Sequence, residues 1–225
     1  MISRSKNTHF FCHYVFLIYI HVIFSAHATE VDEDIIPQKT FYVLRHGETD
    51  WNIKGLCIGS TDIPLNEKGI EQAHNVASLL SDLDLGIKTI CHSPLRRALQ
   101  TAEILNKKLT IDLVAYEELK ACNWGICEGK PKGSQEWGVE WLNGGIIENG
   151  EQYKEFYERC KRGLLKALKT PDPVLIVAHG GVSWVIYDCL KDVNEAYASI
   201  DNCVLIGYSP PTFERKQWKV YRSHL

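Results

Sequence analysis

Two histidines of this 225-residue chain stand in the same setting: Arg45-His46-Gly47 follows the apolar run from Thr40 to Leu44, and His179-Gly180-Gly181 follows Val174 to Ala178. An apolar run without alternation is the pattern of a parallel strand buried on both faces, and ligand crevices in parallel sheets open beyond the carboxyl ends of such strands. Two imidazoles at two such ends can face one pocket. Arginines gather there as well: Arg45 adjoins the first histidine, and Arg96 and Arg97 fall in the first turn of a helix expected after Ser93-Pro94. The planar guanidinium suits phosphate oxygens and stays charged at any working pH. The set predicts a phosphoryl pocket, in which one neutral imidazole attacks phosphorus while the second histidine and the arginines hold the equatorial oxygens.

The elements that must position these groups read as an α/β domain. From about Gln38, short apolar runs alternate with helical patterns, which predicts a three-layer sandwich: a mainly parallel central sheet of about six strands flanked by helices. Asn66 is placed to cap a helix whose face repeats at Ile70, Ala73, Ala77 and Leu80, with Glu67 in the first turn. Ile87 to His92 reads as the next strand, and Ser93-Pro94 opens a helix through Leu105. Asn149-Gly150-Glu151 is expected to start a long helix with Tyr153, Phe156, Cys160, Leu164 and Leu168 on one face. Cys203 to Tyr208 and Trp218 to Tyr221 read as edge strands. Between Lys130 and Asn149 the periodicity is weak, and Lys132, Trp137 and Trp141 there either form a lid over the site or belong to core and solvated surface.

Joined in order, the motifs resemble the histidine phosphatase superfamily, in its phosphoglycerate mutase-like branch. The resemblance rests on Arg45-His46-Gly47-Glu48-Thr49 with Trp51-Asn52, on Thr61 to Asn66, and on Ser93-Pro94-Leu95-Arg96-Arg97-Ala98 with Gln100-Thr101-Ala102. It continues through Trp124-Gly125, Glu128-Gly129, Gly150-Glu151 and Ala178-His179-Gly180-Gly181. It implies a phosphohistidine on His46, a phosphate pocket of Arg45, Arg97 and His179, and a substrate contact from Asn52, with Thr49 and Glu48 matching beside it. It implies neither a cofactor nor a metal. The substrate would be a phosphorylated small molecule or a phosphohistidine protein. About 50 residues separate Gly129 from His179, short for the substrate-enclosing insertion of the mutases, so a phosphatase is expected before a mutase-type phosphotransferase.

Two positions depart from the family pattern. The usual proton donor lies two residues beyond the leucine that here is Leu119, and Ala121 occupies that place. Either Glu118, Glu128 or Glu48 substitutes, or the leaving group needs little protonation, or the protein is a weakly catalytic binder of phospho-ligands. Ile58 stands before Gly59 where many relatives carry glutamine, which alters the pocket rim.

The remaining composition narrows the classes. A formal charge of -3, with basic and acidic residues interleaved, provides no electrostatic footprint for nucleic acid. Arg4 and Lys6 precede an apolar stretch from Phe10 to Phe24 and then Ala26-His27-Ala28, the form of a signal peptide cut after Ala28. Residues 1–28 are therefore expected to be removed and 29–225 to form the mature domain, periplasmic or secreted. An uncleaved segment would anchor the chain to a membrane, and a later start would leave it cytoplasmic. Cleavage removes one of eight cysteines. The odd remainder cannot pair completely, so buried free thiols such as Cys91 and Cys160 are expected.

Overall fold

The strand Val174–Ala178 is buried along its whole length, and the sheet is assembled around it. The computed structural model describes residues 35–132, 136–198 and 200–223, and of Glu136 and Trp137 the backbone alone. The chain divides into two units at Ile35/Ile36; the expected signal segment, with Cys12, lies outside the described residues.

Six strands form one sheet: β1 (Phe41–Arg45), β2 (Thr89–His92), β3 (Asp112–Ala115), β4 (Val174–Ala178), β5 (Leu205–Ser209) and β6 (Lys219–Arg222), in the order β3-β2-β4-β1-β5-β6. The first four run parallel, and β5 and β6 close one side antiparallel. Register decides where the chemistry can sit. Arg45 lies opposite Ala178 and His92 opposite Val177, so the residues that follow, His46, His179 and Ser93, leave the sheet side by side.

Alternation along the strands separates two apolar layers. Leu44, Leu175 and Val177 face α2 (Glu67–Leu83) and α3 (Arg96–Leu109), which contribute Ala73, Val76, Leu80, Ala98, Ala102 and Leu105. Phe41, Val43, Val174 and Ile176 face α5 (Tyr153–Leu168) and α6 (Gly180–Leu190), which contribute Phe156, Cys160, Leu164, Val182, Val185 and Ile186. These are the three layers expected. Two short helices complete the set, α1 (Asp50–Ile53) just after β1 and α4 (Glu136–Leu142) before α5.

Several details differ from the pattern-based expectation. Ile70 is exposed, and Val76 takes its place in the buried face of α2. β3 was not anticipated, because Asp112-Leu113-Val114-Ala115 is only four residues long and begins with a carboxylate. Cys203 to Tyr208 overlaps β5, which is an interior strand between β1 and β6. Glu151 lies ahead of α5 and pairs with Arg159 at 2.7 Å, while Gln152 is the N-cap. Trp141 is no lid aromatic: it is 4% exposed, and its Nε1 donates to the Glu151 carbonyl at 2.8 Å. The seven described cysteines are free thiols, Cys91 and Cys160 among the fully buried ones.

The loop leaving β1 is pressed against the start of α2. A Cβ added to Gly69 would overlap the Glu48 carbonyl, and one added to Gly47 would overlap the Gly69 carbonyl. Backbone meets backbone here, with no flexible side chain to yield. Gly69→Ala is therefore expected to lower stability by about 1–3 kcal/mol through overpacking, despite alanine's better helix propensity, worth about 1 kcal/mol. The urea midpoint measures this, and an unchanged or raised midpoint contradicts it.

Candidate active site

Beyond the carboxyl ends of β1, β2 and β4 lies a cavity of about 480 Å³ lined by Arg45, His46, Asn52, Arg97 and His179. The two imidazoles are 5.2 Å apart between ring centroids, tilted by 58°. His46 Nδ1 is 2.7 Å from the Gly47 carbonyl oxygen. A carbonyl only accepts, so Nδ1 carries the proton and Nε2 is left with the lone pair. The His46 backbone is held from two sides, its N–H donating to the Ala178 carbonyl and its carbonyl accepting from Asn202 Nδ2 at 2.8 Å.

His179 is the N-cap of α6, with the Ser183 N–H on its carbonyl. Its Nε2 lies 2.8 Å from Ser93 Oγ, while its Nδ1 is buried without a partner. Ser93 Oγ already accepts the Leu95 N–H at 3.3 Å, so its own hydrogen can go to Nε2. Nδ1 then carries the ring proton, as a neutral imidazole facing an anion requires.

Arg97 is completely buried. Its terminal nitrogens donate to the Thr61 and Gly59 carbonyls at 3.0 and 2.7 Å, and its Nε has no partner. Burial pulls the guanidinium down to about 10, which still leaves it protonated at neutral pH. Arg45 donates to the Ile200 carbonyl at 2.7 Å, and its buried Nε is also unpartnered. Burial, Arg97 and Arg45 together hold the His46 imidazole well below its usual range, and His179 is depressed in the same way. At neutral pH the site therefore holds two cations and two neutral imidazoles, at the N-terminal end of α6, whose dipole adds to the positive field.

Asn52 reaches the same cavity with its orientation fixed. Its Oδ1 accepts from the Thr49 N–H at 3.1 Å and the Thr49 hydroxyl at 2.9 Å, which turns Nδ2 outward as a donor. Thr49 is buried behind it as the cap of α1. Glu48 binds Asn66 Nδ2 at 3.1 Å and fastens the loop to α2. Neither Thr49 nor Glu48 lines the cavity, and both hold the loop.

The other two of the three carboxylates considered as proton donors, Glu118 and Glu128, are also elsewhere. Glu118 pairs with Lys166, and that bond holds its carboxyl below the usual range. Burial would raise Glu128, but it accepts from the Thr61 hydroxyl and from the Thr61, Ser60 and Trp124 N–H groups, which keep it ionised. It clamps the same loop whose carbonyls receive Arg97. Among the described side chains, no carboxylate lines the cavity, and Ala121 does. Ser93 and Asn202 were missed by sequence reasoning. Ser93 stood in view beside the arginines, but Asn202 had no motif around it.

A model of the histidine phosphatase superfamily (branch 1) matches residues 41–222. The chain belongs to the histidine phosphatase superfamily. It is similar to the protein named "uncharacterized phosphatase PhoE" of Bacillus subtilis strain 168, with 34% identity over 79% of this chain and 90% of that one. It is also similar to the "probable phosphoglycerate mutase GpmB" of Escherichia fergusonii, with 35% identity over 62% of this chain and 68% of that one. Among solved structures, a candidate α-ribazole-5′-P phosphatase of Escherichia coli K-12 superposes with a TM-score of 0.68 at 26% identity, covering 82% of this chain and 95% of that one. Superfamily membership and these relatives make the protein an enzyme of the phosphatase class.

Two outcomes follow from the buried imidazoles. Ser93→Ala removes the hydrogen bond that sets the His179 tautomer and is expected to cost roughly 10- to 100-fold in kcat/KM; steady-state kinetics on an aryl phosphate would expose an unaffected variant. The depressed imidazoles also dictate an acid limb of stability. Above about pH 6.5 both folded and unfolded histidines are neutral. Below it the unfolded state takes up protons first, so stability falls by up to about 1.4 kcal/mol per pH unit for each imidazole until the folded ones protonate. His46→Gln should make that limb shallower in denaturation curves at about pH 5 to 7; identical limbs would contradict the assignment.

Proposed function

We propose that this protein is a metal-independent phosphatase that hydrolyses a phosphomonoester or phosphoramidate through a phosphohistidine on His46. One observation carries the reading. Arg45 Nε, Arg97 Nε and His179 Nδ1 are buried and unpartnered beside a cavity they share with the lone pair of His46. Buried donors left unsatisfied cost free energy unless a ligand completes them, and a tetrahedral oxyanion completes all three at once.

His46 Nε2 attacks phosphorus, and the bond from phosphorus to the leaving oxygen or nitrogen breaks with its electron pair departing on the leaving group. Charge on the equatorial oxygens is held by Arg45, Arg97, His179 and the Asn52 amide. The two guanidiniums supply the positive charge that a metal ion supplies in other phosphatases. Water then attacks the phosphohistidine, inorganic phosphate leaves, and His46 regains its lone pair. The His46 Nδ1–H bond to Gly47 keeps the nucleophilic nitrogen directed at phosphorus through both steps.

Mass spectrometry after a quench that avoids acid should find phosphate on His46 and on no other residue, and turnover should be unchanged by excess chelator. Phosphate elsewhere overturns the role of His46; loss of turnover with chelator overturns metal independence.

Ala121 sets how the leaving group departs. General acid help is worth about 10² to 10⁴ in rate, and with alanine at that position it falls chiefly to the leaving group's own acidity. Ala121→Glu is expected to raise hydrolysis of alkyl phosphates by about 10- to 10³-fold and to change aryl phosphates little. Equal effects on both classes, measured as kcat/KM, would refute this account.

A further inference from the structure

Besides the phosphate donors, the cavity has a lining of different material. Ile58, Trp124, Val139, Trp141, Leu142 and Trp184 line it. Two thiols complete the wall, and burial holds Cys57 protonated, up at about 11, and raises Cys122 further. Apart from the phosphate donors, the indoles and these thiols, the only polar side chain on the described lining is Lys132. Val139 and Leu142 are 58% and 45% exposed although they face the cavity, so apolar surface stands open to water at its mouth. Trp141 cannot turn its polar edge inward, because its N–H is committed to the Glu151 carbonyl.

We infer that the substrate is an aryl phosphate, the phosphate monoester of a phenol whose ring lies against Trp124, Trp141 and Trp184 and covers Val139 and Leu142. This rests on the phosphatase reading and deepens it. Two independent features select the same leaving group. An apolar wall rewards a ring and penalises sugar hydroxyls, which would be buried without partners. The carboxylate-free lining favours a leaving group that departs without a proton, and phenolates, with conjugate acids near 10, do so far more readily than alkoxides. In the reaction the P–O bond breaks with its electrons on the phenolate, which takes its proton from solvent after release.

The test separates ring size from leaving-group acidity. In the full chain, kcat/KM for 1-naphthyl phosphate should exceed that for phenyl phosphate by about tenfold, and both should exceed glycerol and glucose phosphates. Val139→Asp and Leu142→Asp, at exposed positions where folding is not at risk, should bring the naphthyl-to-phenyl ratio close to one. A sugar or glycerol phosphate, or a phosphohistidine peptide, that turns over as well as the naphthyl ester overturns the inference, as does a ratio that neither substitution moves. Calorimetry with His46→Ala keeps the two readings apart. Tighter binding of naphthyl than of phenyl phosphate there supports the wall even if no phosphoenzyme forms in the unmodified protein, which would sink the phosphatase mechanism alone. Equal binding of the two esters sinks the wall while leaving the mechanism standing.

Discussion

A guanidinium without exposed surface is the constraint on which much of this structure depends. An isolated charge taken out of water costs several kcal/mol or more even after relaxation, and among the described residues no carboxylate is bonded to Arg97. The chain instead spreads the compensation. Two backbone carbonyls, of Gly59 and Thr61, take the terminal nitrogens, and Glu128 sits one step further out, binding the amides of Ser60 and Thr61. The anion stabilises the cation through the loop without touching it. Gly59 lacks a side chain because a Cβ there would strike the Glu128 carboxylate and the Cys122 carbonyl. The residues that look like scattered motif fragments, Gly59, Thr61, Arg97 and Glu128, are thus one device.

The same logic explains the histidines. Two imidazoles within 5.2 Å of each other and next to two arginines remain useful only if neither takes a proton. Burial and the arginines enforce neutrality, and single hydrogen bonds to Gly47 and Ser93 then decide which nitrogen is a base and which a donor. Strand register brings these groups together, since β1 and β4 are adjacent and end level. Position comes from the sheet, tautomer from one bond each, and protonation from the surrounding charge.

This division shows what could be read in advance. The strands carrying His46 and His179 were legible because burial on both faces demands continuous apolar runs, and the arginines because a helix start is marked by Ser93-Pro94. Most of the buried face of α2, at Ala73, Ala77 and Leu80, followed from its periodicity. β3 was not legible, because an edge strand needs only four residues and can leave half of them exposed. The interior position of β5 was hidden for a similar reason: its antiparallel partner β6 is a short strand separated from it by a loop, and nothing in Cys203 to Tyr208 indicates which strand lies on either side. Glu128 was misread as a candidate acid because a carboxylate near a site in sequence says nothing about the donors around it. Five hydrogen bonds from Ser60, Thr61 and Trp124 turn it into a clamp.

The two parts of the cavity are tied to the fold with different strength, which accounts for why the reaction was readable and the substrate was not. The proposed phosphate donors hang from strand ends and helix caps, and three of them bond backbone carbonyls through their side chains: Arg97 those of Gly59 and Thr61, Arg45 that of Ile200, and His46 that of Gly47. Replacing any of them leaves buried partners unsatisfied, so the residue types are constrained twice, by chemistry and by stability. On α4 the wall is anchored at Trp141, which packs among Trp124, Tyr153 and Phe156. From there α4 carries Val139 and Leu142 to the cavity mouth with their side chains largely in water. Exchange of those side chains alters little of the core. A rim on α4 that can vary at so small a cost in stability has no spacing rule by which a sequence would announce it, and its composition becomes evident only when Val139 and Leu142 are seen lining one cavity with His46 and His179.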